Sequence, residues 1–558
     1  MRPAIVRRRR VPDAGHWGKL MLRTRSTLAL AVLFSLTALP SRADVYVADV
    51  PQDGSAPSIH VFSSNAIGDA APIRTITGPA TELVAPFAIT IDTVNAELYV
   101  SDFFGSAVLV YPLAADGNVA PIRKLIDGPN SQLRWPRQLV VDTVNDEIIV
   151  PSFNIFDPPP APGSSLRVYP RTADGDIAPI RSVFGDSTNL DNPINLVLDL
   201  AHDELITDSY SAGGGGNAGL VTYARTADGD VPPTRAIAGG STNFGGYTNY
   251  LAFDPGADEL YADAFSGGGY AVFPRTADGD VAPTRSVTGI ETNISVVKSI
   301  AYDVTNSRVV VISFDEHDET LPPSLNAFAR DADGDVVPEI TIAGPSTQLV
   351  FPSAVAFDEG GGFSRVGARV YKVAGDFDDA FNDPGALTVE DFEGGSAAAG
   401  EVLICSEPVD AASNDGCFTP ATLVSGFSVR SSSGAGVAAV GSDFFGNAST
   451  ALGAVFVGDA TIVSFGHGTT AFAMDVYLYD GGSTGRIDVL VYAEDGSMLG
   501  YSHLKPEAGA TQTFLGVIAP QPVARVELRA TSGGAFFDNL RFNAGDAVFA
   551  DGFDPPTR

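Results

Sequence analysis

The chain has 558 residues, 44% hydrophobic and 18% charged, enough apolar side chain for two or three buried cores and too much for a disordered polar chain. Its 34 lysines and arginines face 67 acidic side chains, a net charge of −33. A nucleic-acid partner is thereby excluded, because phosphate binding needs a basic surface, and the acidic excess reads first as a device for solubility.

Residues 1–43 read as a secretory signal peptide. Arg7 to Arg10, Lys19, Arg23 and Arg25 precede an apolar run from Leu28 to Leu39, and the small-x-small triplet Ser41-Arg42-Ala43 predicts cleavage after Ala43. Without this segment 25 basic side chains face 66 acidic ones, a net charge of about −41. No later stretch of about 18 apolar residues occurs, so no membrane-spanning helix is expected after cleavage. The chain is expected to be exported, to the periplasm, the medium or the cell surface.

From Gly68 onward one phrase recurs six times: GDAAPIR, DGNVAPIR, DGDIAPIR, DGDVPPTR, DGDVAPTR and DGDVVPEI. The spacings between its glycines (Gly68, Gly117, Gly175, Gly229, Gly279, Gly334) are 49, 58, 54, 50 and 55, the period of a propeller blade. Each copy aligns into four short strand-like segments. The first ends in aspartate (Asp92, Asp142, Asp199, Asp254, Asp303, Asp358), and in four copies the second opens five residues later with Glu97, Glu147, Glu204 or Glu259. The third ends in an aromatic ring, and the fourth runs from the Pro-x-Arg phrase to a glycine. Four β-rich segments between Gly, Pro and Asp turns make one blade. The sequence after Ala43 begins in a second-type segment, DVYVADV, whereas a first-type strand, Ser353 to Asp358, is left over at the other end. Pairing of the two would close the ring and remove an open seam. Six blades over residues 44–371 are predicted.

This pattern resembles the six-bladed propellers of exported bacterial NHL-repeat-like proteins, over about 60% of the chain. The resemblance implies a binding or scaffolding role more often than catalysis.

Residues 372–386 (GDFDDAFNDPG at their centre) read as a linker. Alternating segments then follow over 387–545, among them Phe472, Met474, Val476 and Leu478, and Ile487, Val489 and Val491, which predict a β-sandwich. With an opening DFEG and a closing FFDNLRF, it resembles the jelly-roll modules appended to exported bacterial proteins. The fold class expected is therefore all-β, a propeller followed by a jelly-roll-like sandwich. Cys405 and Cys417, the two cysteines of the chain, are expected to form a disulfide, which would stabilise so short a loop by roughly 3 kcal/mol. Residues 546–558 read as a C-terminal tail resembling the short "F.DGFE" ends of exported proteobacterial proteins.

Several motifs are set aside. Gly481 to Gly485 matches G-x-S-x-G but lies between two alternating strands, without the strand-to-helix context a nucleophile elbow needs. Gly213 to Gly216 precedes no helix, and the Asp331 to Asp335 run has its glycine misplaced for a calcium loop. The histidines form no ligand set, and no metal, cofactor or catalytic residue is expected. What remains is the rim of the central channel, where the innermost strands begin. Loops between second and third segments vary on that face while the Asp-Gly phrases opposite are nearly constant, the pattern of a binding surface on a rigid scaffold. Phe87, Arg137, Asn249, Lys298 and Ser353, with Asn195 beside Ile194, are the candidate ligand-binding residues. They offer two cations, amides and an aromatic ring but no carboxylate, whereas lactonase-type propellers need carboxylate and amide ligands for a divalent metal there. The function expected is non-catalytic recognition of a small anionic or polyhydroxylated ligand, a glycan or a protein partner. The alternative is a lactonase-like hydrolase or lyase acting at the same mouth.

Overall fold

A computed structural model describes residues 44–543 apart from 53, 153–162, 214–217, 246–247, 265, 267, 316–320, 359–366, 382–383, 467, 480–484 and 507–511. The segments expected as signal peptide and C-terminal tail, most of the G-x-S-x-G match and of the Gly213 to Gly216 run, and His317 and His467, lie outside the described residues.

Six four-stranded antiparallel sheets form the first part. Blade 2 runs Pro86–Asp92, Glu97–Asp102, Ala107–Pro112 and Arg123–Ile126 from the innermost strand outward, and blade 3 runs Val140–Asp142, Glu147–Ser152, Ser165–Pro170 and Arg181–Val183. Blade 4 is Leu196–Asp199, Glu204–Ser209, Gly219–Ala224 and Arg235–Ala238, and blade 5 is Leu251–Asp254, Glu259–Ala264, Gly269–Pro274 and Arg285–Thr288. Blade 6 is Val297–Asp303, Arg308–Ser313, Ser324–Ala329 and Ile340–Ala343. Blade 1 is composite. Asp44–Asp49, Ser58–Ser63 and Arg74–Thr77 receive Pro352–Phe357 as their innermost strand, with Val45 opposite Phe357 and Ala48 opposite Ala354. The left-over strand thus closes the ring.

Second strands are buried on both faces because each blade is covered by two neighbours. Tyr99, Val108 and Val110 of blade 2 pack with Ile148, Val150 and Tyr169 of blade 3, while Ile149 turns the other way towards Leu196 and Leu205 of blade 4. Burial on both sides is why these strands lack a polar alternation.

The recurring phrase does more than turn the chain. Its glycine bridges the outer strand of the preceding blade, as Gly117 does to Ile76 and Gly175 to Leu125, and Gly68 makes the same bridge to Ile342 across the ring seam. The first aspartate accepts that strand's amide (Asp174 from Lys124, 3.0 Å), and the second accepts amides of the following turn (Asp176 from Ser131, 2.7 Å; Asp280 from Ser241, 2.7 Å). Gly117 sits at φ 69° with open space around a Cβ, so backbone conformation, not crowding, requires glycine there.

On the same face the glutamates that open second strands are gripped bidentately by the arginines of the phrase. Arg123 bonds Glu97 at 2.7 and 2.6 Å, Arg235 bonds Glu204 at 2.6 and 2.7 Å, and Arg285 bonds Glu259 at 2.8 Å twice. A second arginine crosses from the next blade: Arg171 to Glu97 (2.9 Å), Arg225 to Glu147 (3.4 Å) and Arg275 to Glu204 (2.6 Å). Blade 6 breaks the pattern. Arg308 occupies the glutamate position and bonds Glu339 at 2.8 Å, while Ile340 fills the arginine position and is buried.

The C-terminal part is a sandwich of an eight-stranded and a five-stranded sheet. The larger sheet includes Ala471–Tyr479, Gln512–Ile518 and Gly534–Phe542, and the smaller includes Thr461–Phe465, Ile487–Ala493 and Val523–Ala530. Phe392 of the DFEG motif stands edge-on to Phe537 at 5.5 Å and to Phe427 at 6.0 Å, so DFEG and FFDNLRF meet in the core. Cys405 and Cys417 are disulfide-bonded, with Cα atoms 5.6 Å apart. Arg369–Tyr371, placed by the sequence at the end of the propeller, pairs with Gln512–Ile518 of the larger sheet. The segment expected as linker contains a helix, Ala374–Ala380, whose Phe377 is fully buried against Phe514.

The sandwich packs along the outer strand of blade 6 and the ring seam. Ala343 lies in one cluster with Leu490 and Tyr501, and the Asp69 amide meets Met498 Sδ at 2.9 Å. The carboxylate of Glu291, fully buried, accepts the amides of Lys372 (3.0 and 2.9 Å) and Val373 (2.6 Å).

Candidate functional site at the channel mouth

The innermost strands begin irregularly. At Phe87, Lys298 and Ser353 the register with the second strand slips by one residue, so each is the extra residue of a β-bulge. Bulges re-aim side chains away from the ladder, and here they occur where the strands enter the channel.

Two of the expected residues meet directly. The Arg137 guanidinium lies 4.6 Å from the centre of the Phe87 ring and 4.5 Å from that of Phe103, so blades 2 and 3 are joined by a cation laid on two rings. Trp135 stands 6.1 Å from Phe103 and Phe104 is 71% exposed, which extends an aromatic wall towards solvent. Burial lowers the Arg137 pKa from its ordinary value, while the fields of Tyr250, Tyr210 and Asp208 favour its charge. Lys298 lies 5.6 Å from the Phe351 ring, which stands edge-on to Phe314 at 5.0 Å. Asn249 accepts a hydrogen bond from the Tyr210 hydroxyl at 3.0 Å.

Asn195 and Ser353 are engaged with backbone. Asn195 is 6% exposed and its side-chain oxygen accepts the Leu196 amide at 2.8 Å. Ser353 donates to the Pro86 carbonyl at 2.8 Å, tying blade 1 to blade 2.

The rim is not free of carboxylates, contrary to the expectation from its first positions, because the second strands supply them from behind. Asp49 and Asp102 end their strands by accepting loop amides: Asp49 from Val350 and Phe351, Asp102 from Val84 and Ala85. In blades 4 and 5 the aspartate comes one residue earlier, as Asp208 and Asp263. Asp208 Oδ1 accepts the amides of Ile194 (2.9 Å) and Asn195 (2.6 Å), and Asp263 accepts those of Asn249 (2.7 Å) and Tyr250 (2.9 Å) and the Thr248 hydroxyl (2.8 Å). Burial raises Asp208 to a pKa of about 8, with the neighbouring Asp263 adding to the effect, and raises Asp263 to about 6. The visible signal was the aspartate inside ELITDS and ELYADA, at a position held by serine, proline, isoleucine or alanine in the other blades.

Among the described residues, one group of ligand atoms stands close enough to hold a metal ion: Asp199, His202 and Asp258, on the face opposite the mouth. Its cation place is taken by Arg275, whose Nε lies 2.5 Å from Asp258 and 3.2 Å from Asp199. His202 bonds Asp199 at 2.7 Å, repeating the turn in which Asn95 bonds Asp92 at 2.8 Å. Among the described residues, no helix is long and apolar enough to cross a membrane.

No protein-family model matches the chain, and no curated protein matches it. Among solved structures, it is similar to one in a nidogen/laminin complex, with 11% identity over 56% of this chain and 97% of that one, at a TM-score of 0.39. A candidate 6-phosphogluconolactonase from Bacteroides uniformis shows 12% identity over 57% of this chain and 99% of its own, at a TM-score of 0.36. A similar candidate from Bacteroides fragilis shows 10% identity over 58% and 99%, at a TM-score of 0.35.

Proposed function

We propose that this chain is an exported, NHL-like recognition protein whose propeller mouth binds a small anionic or polyhydroxylated ligand, with the jelly-roll-like sandwich as an appended module. The observation that carries this reading is Arg137, held on the Phe87 and Phe103 rings at the entrance of a rigid ring in a chain of net charge −33. Placing a cation at a channel mouth in so acidic a chain focuses an attractive field on anions at that point. Lys298 adds a second cation on the opposite side, beside Phe351. The signal-like leader and the disulfide support export, since disulfides persist in oxidising compartments.

The test is a calorimetric screen of small anions and glycans against the full chain and against an Arg137→Ala, Lys298→Ala double variant. Loss of about 2 to 5 kcal/mol of binding free energy is expected if the charges are desolvated by the ligand. Unchanged affinity, or a divalent cation found at the mouth by crystallography, would overturn the reading.

A second reading, lactonase-like hydrolysis, is favoured by one observation: the buried carboxyls Asp208 and Asp263 stand in adjacent blades behind the rim. Turnover of sugar lactones that is lost in Asp208→Asn or Asp263→Asn would establish it.

A further inference from the structure

We infer that the sandwich carries a ligand site of its own, a groove around Arg430 on the outer face of the smaller sheet that takes a hydroxylated carboxylic acid of the sugar-acid class. It is separate from the propeller mouth and does not rest on the reading of the mouth.

Strand alternation builds the groove. In Phe427–Ser431 the side chains of Phe427 and Val429 face the core, so Ser428 and Arg430 face outward. Ser428 stands opposite Ser464 of Thr461–Phe465, and Ser464 stands opposite Arg525 of Val523–Ala530. At the margin of the sheet Val409 bridges Val429, which brings Glu407 and Pro408 alongside. The result is an open groove of about 450 Å³ lined by Glu407, Pro408, Ser428, Arg430 and Ser464, a size that suits a small molecule.

Its polar atoms are accessible and uncommitted. Arg430 is exposed, and among the described residues its guanidinium and the Ser428 and Ser464 hydroxyls make no hydrogen bond or ion pair. The two hydroxyls are open to solvent. Glu407 is held by the Ser431 and Gly436 amides, at 3.0 and 2.8 Å, through Oε1 alone, which leaves Oε2 for a ligand.

Composition does not account for the arginine. Residues 387–543 hold six basic side chains, Arg430, Arg486, Lys505, Arg525, Arg529 and Arg541. Three of them, Arg430, Arg525 and Arg529, stand on this face, where Arg525 and Arg529 share the carboxylate of Glu527 at 2.9 and 2.6 Å. Positive charge is thereby gathered beside the groove in a chain of net charge −33.

The donor set selects the ligand. A guanidinium fork pairs with both oxygens of a carboxylate. A bare anion would be repelled by Glu407, whereas a carboxylate that also carries hydroxyls can donate to Glu407 Oε2 and exchange hydrogen bonds with Ser428 and Ser464. Pro408 offers an apolar surface to its carbon skeleton.

The experiment titrates the full chain by calorimetry with glucuronate, with glucose as its uncharged counterpart, acetate as the bare carboxylate and glycine as a zwitterion. All variants are made in the Arg137→Ala, Lys298→Ala background, so that binding at the mouth does not enter. Glucuronate should bind about tenfold or more tightly than glucose or acetate, and Arg430→Ala should weaken it about tenfold or more. Arg430→Lys keeps the charge but loses the fork, and about a threefold loss is expected. Ser428→Ala combined with Ser464→Ala should also cost about threefold or more. Lys124→Ala, the same loss of charge at an exposed site in blade 2, should leave affinity unchanged. Because Arg430 is exposed, its variants should keep the urea midpoint of the background, which separates lost binding from lost fold. If Arg430→Ala binds glucuronate as the background does, the groove is not the site. Tighter binding of glycine than of glucuronate would overturn the ligand class. If none of the probes binds, the inference is refuted and Arg430 is only a charge guarding a sheet edge.

Discussion

Replacing Arg275 by alanine tests whether the ionic lattice, and not only the apolar blade faces, holds neighbouring blades together. Arg275 belongs to blade 5 and is 6% exposed. Its guanidinium reaches Glu204 of blade 4 at 2.6 Å and lies 3.2 Å from Asp199 of the same blade, while Asp258 of its own blade is bonded at 2.5 Å. Removing it leaves three carboxylates facing one another. The Asp258 contact counts for little, because that side chain is 44% exposed and water can replace the arginine. Glu204 keeps Arg235 at 2.6 and 2.7 Å. Asp199, 2% exposed, keeps the Ala201 and His202 amides and the His202 ring at 2.7 Å but loses the arginine. One buried carboxylate without its arginine, though still hydrogen-bonded, and one weakened pair set the expected loss at about 3 kcal/mol, the lower end for breaking a buried pair. Arg134→Ala is the control, since its pair with Asp127 is 3.3 Å long with side chains 42% and 28% exposed, and under 1 kcal/mol is expected. Urea denaturation followed by Trp135 reports the propeller, the other tryptophan, Trp17, lying in the segment that reads as a signal peptide. If Arg275→Ala shifts the midpoint no more than Arg134→Ala does, the lattice does not stabilise the ring.

The same carboxylates predict acid lability. Arginine hydrogen bonds hold Glu97, Glu204 and Glu259 below the usual carboxylate range, so their contribution is complete above the unfolded pKa of about 4.3 and is lost as pH falls through the lowered folded values. The urea midpoint should therefore drop between about pH 4.5 and pH 3, and an unchanged midpoint there would contradict the assignment. For ring closure, Val355→Asp places a charge at a site 6% exposed among Val45, Val47 and Ile342, and a loss of about 3 kcal/mol or more is expected by the same denaturation. A wild-type midpoint would mean that Pro352–Phe357 contributes little to the seam.

What could be read from the sequence, and what could not, divides along the repeat. The period, the four-segment unit and the unpaired strand at each end specify the closed ring, because each blade repeats the same turn chemistry and the ends are complementary. The phrase itself was legible as a turn, yet its larger part, binding the outer strand of the preceding blade, joins residues 45 and 50 positions apart and emerges only when blades are stacked. The boundary after the propeller escaped for a similar reason: Arg369–Tyr371 is a three-residue strand whose partner, Gln512–Ile518, lies far along the chain.

The mouth shows the same limit at the level of single side chains. Alignment located the positions where the innermost strands begin, and with them Phe87 and Arg137, since equivalent positions in a ring must converge on its axis. It could not locate what stands behind them. Asp208 and Asp263 differ from Asp49 and Asp102 by one position along the second strand, and in a strand one position reverses the face. That reversal leaves Asp208 buried with an unserved oxygen, whereas Asp102 spends its two oxygens on Val84 and Ala85. Departures of one blade from the others are therefore more informative here than the repeat. The repeat states what every blade needs to stand, and in blades 4 and 5 the aspartate out of register meets the same need, amides at the start of the inner strand, from the neighbouring position.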